Sequence, residues 1–298
     1  MFSNRVVTEN QLIDSINGVQ LSVKREDRIN PWVSGNKFRK LKYNFLQLQE
    51  GAPKRVLTFG GAFSNHLAAV AAAGFSFSIP TIGIVRGQEW KNKTEESPTL
   101  RFCLSQGMTL NFISREAYRT QSIPDEISLA DCIVLPEGGT NELAIKGCSE
   151  ILTEKEELYD AICCCVGTGG TIAGLIAGSM DTQKILGFPV LKHQQLEASI
   201  QQWISQSNWE LIRGYEFGGY GNTDSKLIDF MNTFYNRYKI PLDPIYTGKM
   251  LFGIFDLIKK DQWRWGKNVL IVHSGGLQGI QGFNQRQQKK GQPLLHYC

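Results

Sequence analysis

The chain has 298 residues, of which 42% are hydrophobic and 20% are charged, with a formal net charge of +4 at pH 7. This length is enough for about two domains with large buried cores. The mild positive charge suits an anionic cofactor or substrate and excludes the strongly basic footprint of a nucleic-acid-binding protein. No apolar run approaches the ~18 residues of a membrane-spanning helix, and the polar N-terminus lacks the pattern of a secretory signal.

The first helix is predicted to begin close to Lys37, because Leu41, Phe45 and Leu48 follow it at helical spacing. A lysine amine has a pKa near ~10.4 and is a nucleophile only after it loses its proton. Burial and the positive end of a helix both disfavour its charge. Lys37 is therefore a candidate anchor for an aldehyde cofactor through a Schiff base, although most lysines near helix starts are simply solvated.

Short apolar runs and helical patterns alternate along the rest of the chain. An alanine-rich helix is predicted over 66–73, ending at Gly74, and a later one is predicted to be capped by Asn222 and to stop before Pro241. Strands are predicted over 55–59, 81–85, 109–113, 131–135, 161–166 and 269–272. This alternation predicts an α/β fold with two mostly parallel sheets.

The seven cysteines include no Cys-x-x-Cys pair, and the four histidines have no metal-ligand spacing relative to them. An odd number of cysteines without framework spacing favours free thiols in a reducing compartment. We therefore expect a cytoplasmic protein without a metal site. Cys163, Cys164 and Cys165 are consecutive in a predicted strand and are expected to be small core residues.

A glycine-rich loop, Gly167-Thr168-Gly169-Gly170-Thr171, lies between a predicted strand and a helix of small residues. Glycine lets the backbone approach a ligand, and the N–H groups of a helix start attract an anion, so a phosphate fits here. The loop lacks the third glycine of a dinucleotide fingerprint and the Gly-Lys-Ser/Thr of a Walker loop. A plain strand–helix turn is the alternative interpretation.

Two further groups of polar residues follow or neighbour glycines. Ser64 and Asn65 are good helix caps, and at an exposed helix start they could also bind a substrate carboxylate and donate to a phenolic oxygen. His66 is expected to pack in the first turn rather than act as an acid or base. Tyr220 and Tyr246 could orient a cofactor or exchange a proton, but either could equally be an aromatic packed under a loop.

Seven segments together resemble the pyridoxal 5'-phosphate (PLP) enzymes of the tryptophan-synthase-β-like fold. The resemblance is strongest to the branch with 1-aminocyclopropane-1-carboxylate (ACC) deaminase and D-cysteine desulfhydrase. The segments are Lys24-Arg25-Glu26-Asp27, Gly35-Asn36-Lys37, Ser64-Asn65-His66, Gly167 to Thr171, Gly219-Tyr220-Gly221, Tyr246-Thr247-Gly248-Lys249 and Ser274-Gly275-Gly276. The resemblance implies a large PLP-binding domain from residues 1–41 plus 148–298, with a small domain inserted at 42–147.

The resemblance also implies roles for individual residues. Lys37 would bond the cofactor aldehyde, Asn65 would bond the ring hydroxyl, and Ser64 would face a small amino-acid substrate. The other members of the implied site are Tyr220 and Tyr246 beside the reacting centre, and Gly167, Thr168, Gly169, Gly170, Thr171, Thr247 and Ser274 around the cofactor. A homodimer is expected by analogy.

The residue type at position 247 is expected to distinguish the two activities of this branch. ACC deaminases resemble this chain but carry Glu after the tyrosine, and a carboxylate there would keep the pyridine nitrogen protonated. A hydroxyl cannot do so, and opening a cyclopropane needs the stronger electron sink more than expelling a thiol does. We therefore expect β-elimination of D-cysteine-like substrates to a 2-keto acid, ammonia and sulfide. ACC deamination, a non-catalytic PLP-binding protein and a nucleotide-binding oxidoreductase remain alternatives.

Overall fold

The computed structural model describes residues 1–2, 6–50, 54–191 and 194–297, and its strands form two sheets. The strands are β1 (Asn10–Ile16), β2 (Val19–Lys24), β3 (Arg55–Gly61), β4 (Thr81–Arg86), β5 (Thr109–Ile113), β6 (Cys132–Leu135), β7 (Ala161–Val166), β8 (Lys184–Pro189), β9 (Trp209–Leu211) and β10 (Asn268–Val272). The α-helices are α1 (Asn36–Leu46), α2 (Asn65–Phe77), α3 (Pro98–Ser105), α4 (Arg115–Arg119), α5 (Glu142–Ser149), α6 (Gly170–Gly178), α7 (Leu196–Gln201), α8 (Ser225–Tyr238), α9 (Thr247–Lys259) and α10 (Gly279–Lys289).

Both sheets are mostly parallel, which confirms the predicted fold class. The larger has the order β1-β2-β10-β7-β8-β9, and in it β1 pairs antiparallel with β2. The smaller has the order β5-β4-β3-β6 with parallel pairs. Its strands lie inside the segment 42–147, although the domain boundaries themselves stay a prediction. Parallel strands bring their carboxyl ends to one edge of each sheet, where ligand-binding loops gather.

The central strand β7 of the large sheet is buried along its whole length. Cys163, Cys164 and Cys165 all lie in it as free thiols, which agrees with the core role expected from the sequence. Burial raises the pKa of the Cys165 thiol to about 12, so it stays protonated at neutral pH. None of the helices in the described ranges has the length and apolar character needed to cross a bilayer.

The alanine-rich helix α2 does not end at Gly74, as the sequence suggested, but continues to Phe77. A Cβ at Gly74 would lie 2.3 Å from the Thr81 side chain, so glycine here allows the helix to approach β4. The helix ends where Ser78 adopts a left-handed conformation with φ of 54°.

The predicted cap of α8 is also wrong. The Asp224 carboxylate, rather than Asn222, accepts the N–H of Leu227 at 2.8 Å. The side-chain amide of Asn222 instead donates to the Gly218 carbonyl within the preceding loop. Asp and Asn cap helices about equally well, so composition alone did not choose between two candidates two residues apart.

Glycines let α1, α5 and α6 pack unusually close. A Cβ on Gly147 of α5 would lie 1.9 Å from the Arg39 carbonyl oxygen of α1. On the other side, a Cβ on Gly174 of α6 would lie 2.3 Å from the Cys148 Cβ of α5. The two contacts fix the start of α1 relative to the glycine loop that begins α6.

Buried ion pairs connect α1 to the charged segment that follows β2. The Arg39 guanidinium donates two hydrogen bonds of 2.8 Å to the Glu26 carboxylate, and both side chains are buried. This two-pronged geometry is the strongest that an arginine and a carboxylate form. Lys24 and Glu156 make a second buried pair at 2.7 Å. The charged segment after β2 therefore orients the helix that carries Lys37.

Gly147→Ala should destabilise the protein, because the added methyl group meets a backbone carbonyl that cannot move without shifting α1. We expect a cost of about 1–3 kcal/mol, seen as a lower midpoint of thermal unfolding. The matched control is Lys146→Ala on the same helix, whose exposed side chain only rests on the Tyr43 ring. Equal midpoints for the two variants would contradict the close α1–α5 contact.

Candidate active site

A cavity of about 900 Å³ lies at the carboxyl ends of strands from both sheets. It brings together ten of the twelve site residues expected from the sequence, namely Lys37, Ser64, Asn65, Gly167, Thr168, Gly169, Thr171, Tyr220, Tyr246 and Ser274. Gly170 and Thr247 do not line it. A cavity with convergent polar groups at this edge is the expected place for a ligand in an α/β fold.

Lys37 is the second residue of α1 and its side chain faces this cavity. The preceding Gly35 has a φ of 56°, and a Cβ there would lie 2.0 Å from the Ser274 carbonyl oxygen. That oxygen accepts the N–H of Asn36 at 3.2 Å, and the Asn36 side-chain oxygen accepts a hydrogen bond from the Lys37 amine at 3.1 Å. Burial lowers the pKa of Lys37, which favours the neutral, nucleophilic amine.

The glycine loop faces the first turn of α1. Gly169 has a φ of 86°, a left-handed conformation that suits glycine, and α6 begins at the next residue. The Thr171 hydroxyl accepts a hydrogen bond of 2.8 Å from the Asn36 amide, which ties the loop to the lysine segment. The first N–H groups of α6 have no partner within the helix, so they can receive an anion.

Lys40 is a second cavity lysine that the sequence analysis missed. Its amine donates to the Gly138 carbonyl at 2.8 Å and to the Thr140 hydroxyl at 3.1 Å, and lies 3.5 Å from the Thr168 hydroxyl. Burial, and then the nearby charge of Lys37, lower its pKa to about 7. Its place one turn after Lys37, on the same face of a helix, was the available signal.

The start of α2 presents Ser64 and Asn65 to the cavity. The Ser64 hydroxyl accepts the Leu67 N–H at 3.3 Å and so caps the helix. The side-chain oxygen of Asn65 is buried and has no hydrogen-bond partner among the described residues. A buried acceptor without a partner costs free energy, so it indicates a donor group that binds here.

His66 packs as the sequence analysis expected. The Thr58 hydroxyl donates to the Leu135 carbonyl, so it accepts from His66 Nε2, which lies 2.9 Å away. Burial and the charges of Lys37 and Lys40 hold the pKa of His66 well below its ordinary value. The imidazole is therefore neutral and orients the turn rather than transferring protons.

Tyr220 and Tyr246 meet edge to face, with ring centroids 6.0 Å apart. Burial raises the pKa of both phenols, so both keep their protons at neutral pH and can donate a hydrogen bond. The buried Lys249 amine donates to the Glu216 and Gly219 carbonyls at 2.8 Å each, which holds the loop that carries Tyr220. The Tyr246 ring lies beside the glycine loop, 3.3 Å from the position of a Cβ on Gly167.

Thr247 lies outside the cavity lining, and a neighbouring carboxylate lies within it. The Thr247 hydroxyl accepts the N–H of Asp243 at 2.9 Å and is fully buried. Asp243 caps the start of α9 through one oxygen, and burial raises its pKa to about 6. The Ser274 hydroxyl lines the same part of the cavity, 3.1 Å from the Cys165 sulfur. Asp243 was missed because its spacing is that of an ordinary helix cap.

Residues 6–275 match the family described as "Pyridoxal-phosphate dependent enzyme", and the chain belongs to this family. The bifunctional D-cysteine desulfhydrase/ACC deaminase of Arabidopsis thaliana is 29% identical, over 89% of this chain and 74% of that protein. A D-cysteine desulfhydrase of Klebsiella pneumoniae is 25% identical, over 87% of each chain. The crystal structure of an ACC deaminase homologue superposes with a TM-score of 0.82 at 25% identity, covering 95% of this chain and 94% of that one.

The cofactor is PLP, and the residues present fit it. The Lys37 amine, whose pKa is lowered by burial, suits its aldehyde, and the glycine loop with Lys40 suits its phosphate. The partnerless oxygen of Asn65 suits its ring hydroxyl. The protein is therefore a PLP-dependent enzyme of the lyase and deaminase class.

Anion binding at the glycine loop should weaken as the pH rises above 7. Sulfate keeps its charge across this range, whereas Lys40 loses its proton above its lowered pKa of about 7. We expect sulfate to raise the thermal midpoint of the cofactor-free protein strongly at pH 6 and much less at pH 9. Lys40→Met should give little stabilisation at either pH, and Lys146→Met should behave like the parent protein. Equal stabilisation by sulfate in all three proteins at both pH values would contradict this role.

Proposed function

We propose that the protein catalyses β-elimination of a D-cysteine-like amino acid to a 2-keto acid, ammonia and sulfide. The observation that carries the proposal is the Lys37 amine of lowered pKa in one cavity with the glycine loop and Asn65. Relatives named D-cysteine desulfhydrase support the reaction class. We also propose the small inserted domain at 42–147, a homodimer and a cytoplasmic location, the last supported by the free thiols of the described chain.

Bound PLP supplies an aldehyde that bonds an amine and a ring that withdraws electrons from the adjacent carbon. Lys37 would hold this group, and burial lowers its pKa, which favours the neutral form of the amine that could take the proton from the substrate Cα. The start of α2 receives the substrate carboxylate, with Ser64 at its cap. Tyr220 and Tyr246 remain protonated and can donate to a leaving thiolate.

ACC deamination is a second candidate, and Asp243 favours it. The sequence argument against this activity was the lack of a carboxylate at position 247. Asp243 lines the cavity with a carboxylate, and its backbone N–H bonds to the Thr247 hydroxyl. Its pKa, raised to about 6 by burial, leaves it mostly ionised at neutral pH. Turnover of the two substrates must decide between them.

Lys37→Ala should abolish covalent attachment of the cofactor and reduce turnover by about 10³-fold or more, since no other group replaces the anchoring amine. Borohydride reduction should fix the cofactor to position 37 of the parent protein, and peptide mass spectrometry should detect it there. The variant should show no cofactor at that position. Lys146→Ala serves as the control and should be labelled and active like the parent. Labelling of Lys40 in the parent protein would contradict the assignment.

The purified protein should release sulfide, ammonia and a 2-keto acid from D-cysteine, and much less ammonia from ACC. The test measures ammonia and keto acid from both compounds and from a panel of D- and L-amino acids. Ammonia from ACC but not from D-cysteine would reverse the assignment in favour of ACC deaminase. Cofactor binding without turnover of any compound would indicate a non-catalytic PLP-binding protein.

A further inference from the structure

The cavity is far more cationic than a small neutral amino acid requires. Its lining includes seven Lys and Arg side chains but only the carboxylates of Asp243 and Glu137 among the described residues. Lys37 and Lys40 serve the cofactor in the function proposed above. Five cations of the lining have no role in that function, and we call them the outer wall. They are Arg86, Arg115, Arg119, Arg286 and Lys290.

Arg86 is held in place by uncharged neighbours. It ends β4, and one guanidinium nitrogen lies 3.3 Å from the position of a Cβ on Gly61. Its guanidinium carbon lies 5.5 Å from the centroid of the Tyr118 ring. Within the described part of the chain no carboxylate lies within ion-pair distance of it, whereas Arg115 nearby is paired with Glu89.

Arg286 reaches the same region from α10. Its guanidinium carbon lies 4.6 Å from the centroid of the Phe63 ring, and its Nε donates to the Gly282 carbonyl at 3.3 Å. It too makes no ion pair within the described ranges. Gly61 and Phe63 belong to the turn that leads into Ser64, so both arginines border the proposed substrate position. The Tyr220 phenol lies within electrostatic range of both guanidinium groups.

We propose that the substrate carries a second anionic group on its β-substituent, and that Arg86 and Arg286 bind it. This inference rests on the β-elimination proposed above. The α-carboxylate has its own site at the start of α2, which leaves both arginines for another anion. The anion could be a sulfonate, a phosphate, or a carboxylate on a thiol substituent. A guanidinium suits each of these groups because it donates two parallel hydrogen bonds to a pair of oxygens.

The same arginines would assist the elimination. A proton leaves the Cα, and the Cβ–X bond breaks with its electron pair on the departing group X. Water then hydrolyses the resulting enamine to the keto acid and ammonia. X leaves with more negative charge than it had while bonded, so fixed guanidinium groups stabilise its departure. Glu137 also lines the cavity and, like Arg86, lies within electrostatic range of Tyr118 and Tyr220, so its carboxylate would offset part of the attraction for an anion.

The test measures KM of the holoenzyme for three compounds, each in both configurations. The β-substituent of 3-chloroalanine is neutral, whereas those of 3-sulfoalanine and O-phosphoserine are anionic. Arg86→Met and Arg286→Met should each raise KM for the anionic compounds about tenfold or more. KM for 3-chloroalanine should stay within about twofold, and Arg86→Lys should recover part of the loss. Arg101→Met, exposed on α3 outside the cavity, is the control and should match the parent.

A binding measurement separates this inference from the proposed reaction. By calorimetry, succinate should bind the holoenzyme about tenfold more tightly than propionate, and the Arg86→Met/Arg286→Met double variant should lose that preference. No preference in the parent protein, or equal rises in KM for neutral and anionic compounds, would overturn the inference. A clear preference for succinate without turnover of any amino acid would defeat the proposed function and leave the anion site standing.

Discussion

The contact between the turn before α1 and the carbonyl oxygen of Ser274 determines the rest of the site. Gly35 passes so close to this oxygen that no side chain fits, and the Asn36 N–H bonds to it. The start of α1 is thereby fixed at the end of β10, in the middle of the large sheet. Gly147 holds the same helix from its other side. Lys37 is therefore placed by backbone contacts, which vary less than side-chain rotamers.

Lys37 and Lys40 lie one turn apart, and burial lowers the pKa of both, but their hydrogen-bond partners differ. Among the described residues the Lys37 amine donates to its neighbour Asn36, and it faces the open cavity, where its lowered pKa favours the nucleophilic form. Lys40 is surrounded by a carbonyl and two hydroxyl oxygens that suit its charged form. An arriving phosphate would complete that set and restore the proton. The phosphate of a bound cofactor would therefore favour the charged form of Lys40, whereas burial favours the neutral form of Lys37.

Most of this arrangement could be predicted from the sequence because its parts are local. The glycine loop, the start of α2 and the parallel strands each follow from residues adjacent in the chain. Lys40, Asp243 and Arg86 could not be found in that way, because only tertiary contacts distinguish them from a solvated lysine, a helix cap and a strand end. Thr247 shows the converse, since this residue, chosen by resemblance, accepts the Asp243 N–H and does not line the cavity. Resemblance locates a segment, whereas packing decides which of its atoms face the ligand.

In the proposed function, cofactor binding and substrate choice depend on different elements of the fold. The anchoring lysine and the glycine loop belong to α1 and α6, which are packed through glycines and tolerate little change. Arg86 and Arg286 come from the ends of β4 and α10, where they rest on aromatic rings and face the outer cavity. Substitutions at these outer positions would alter the charge offered to a leaving group without moving the anchoring lysine. In this proposal a shared fold can carry related eliminations on substrates of different charge, because the cations around the leaving group are separate from the lysine that holds the cofactor.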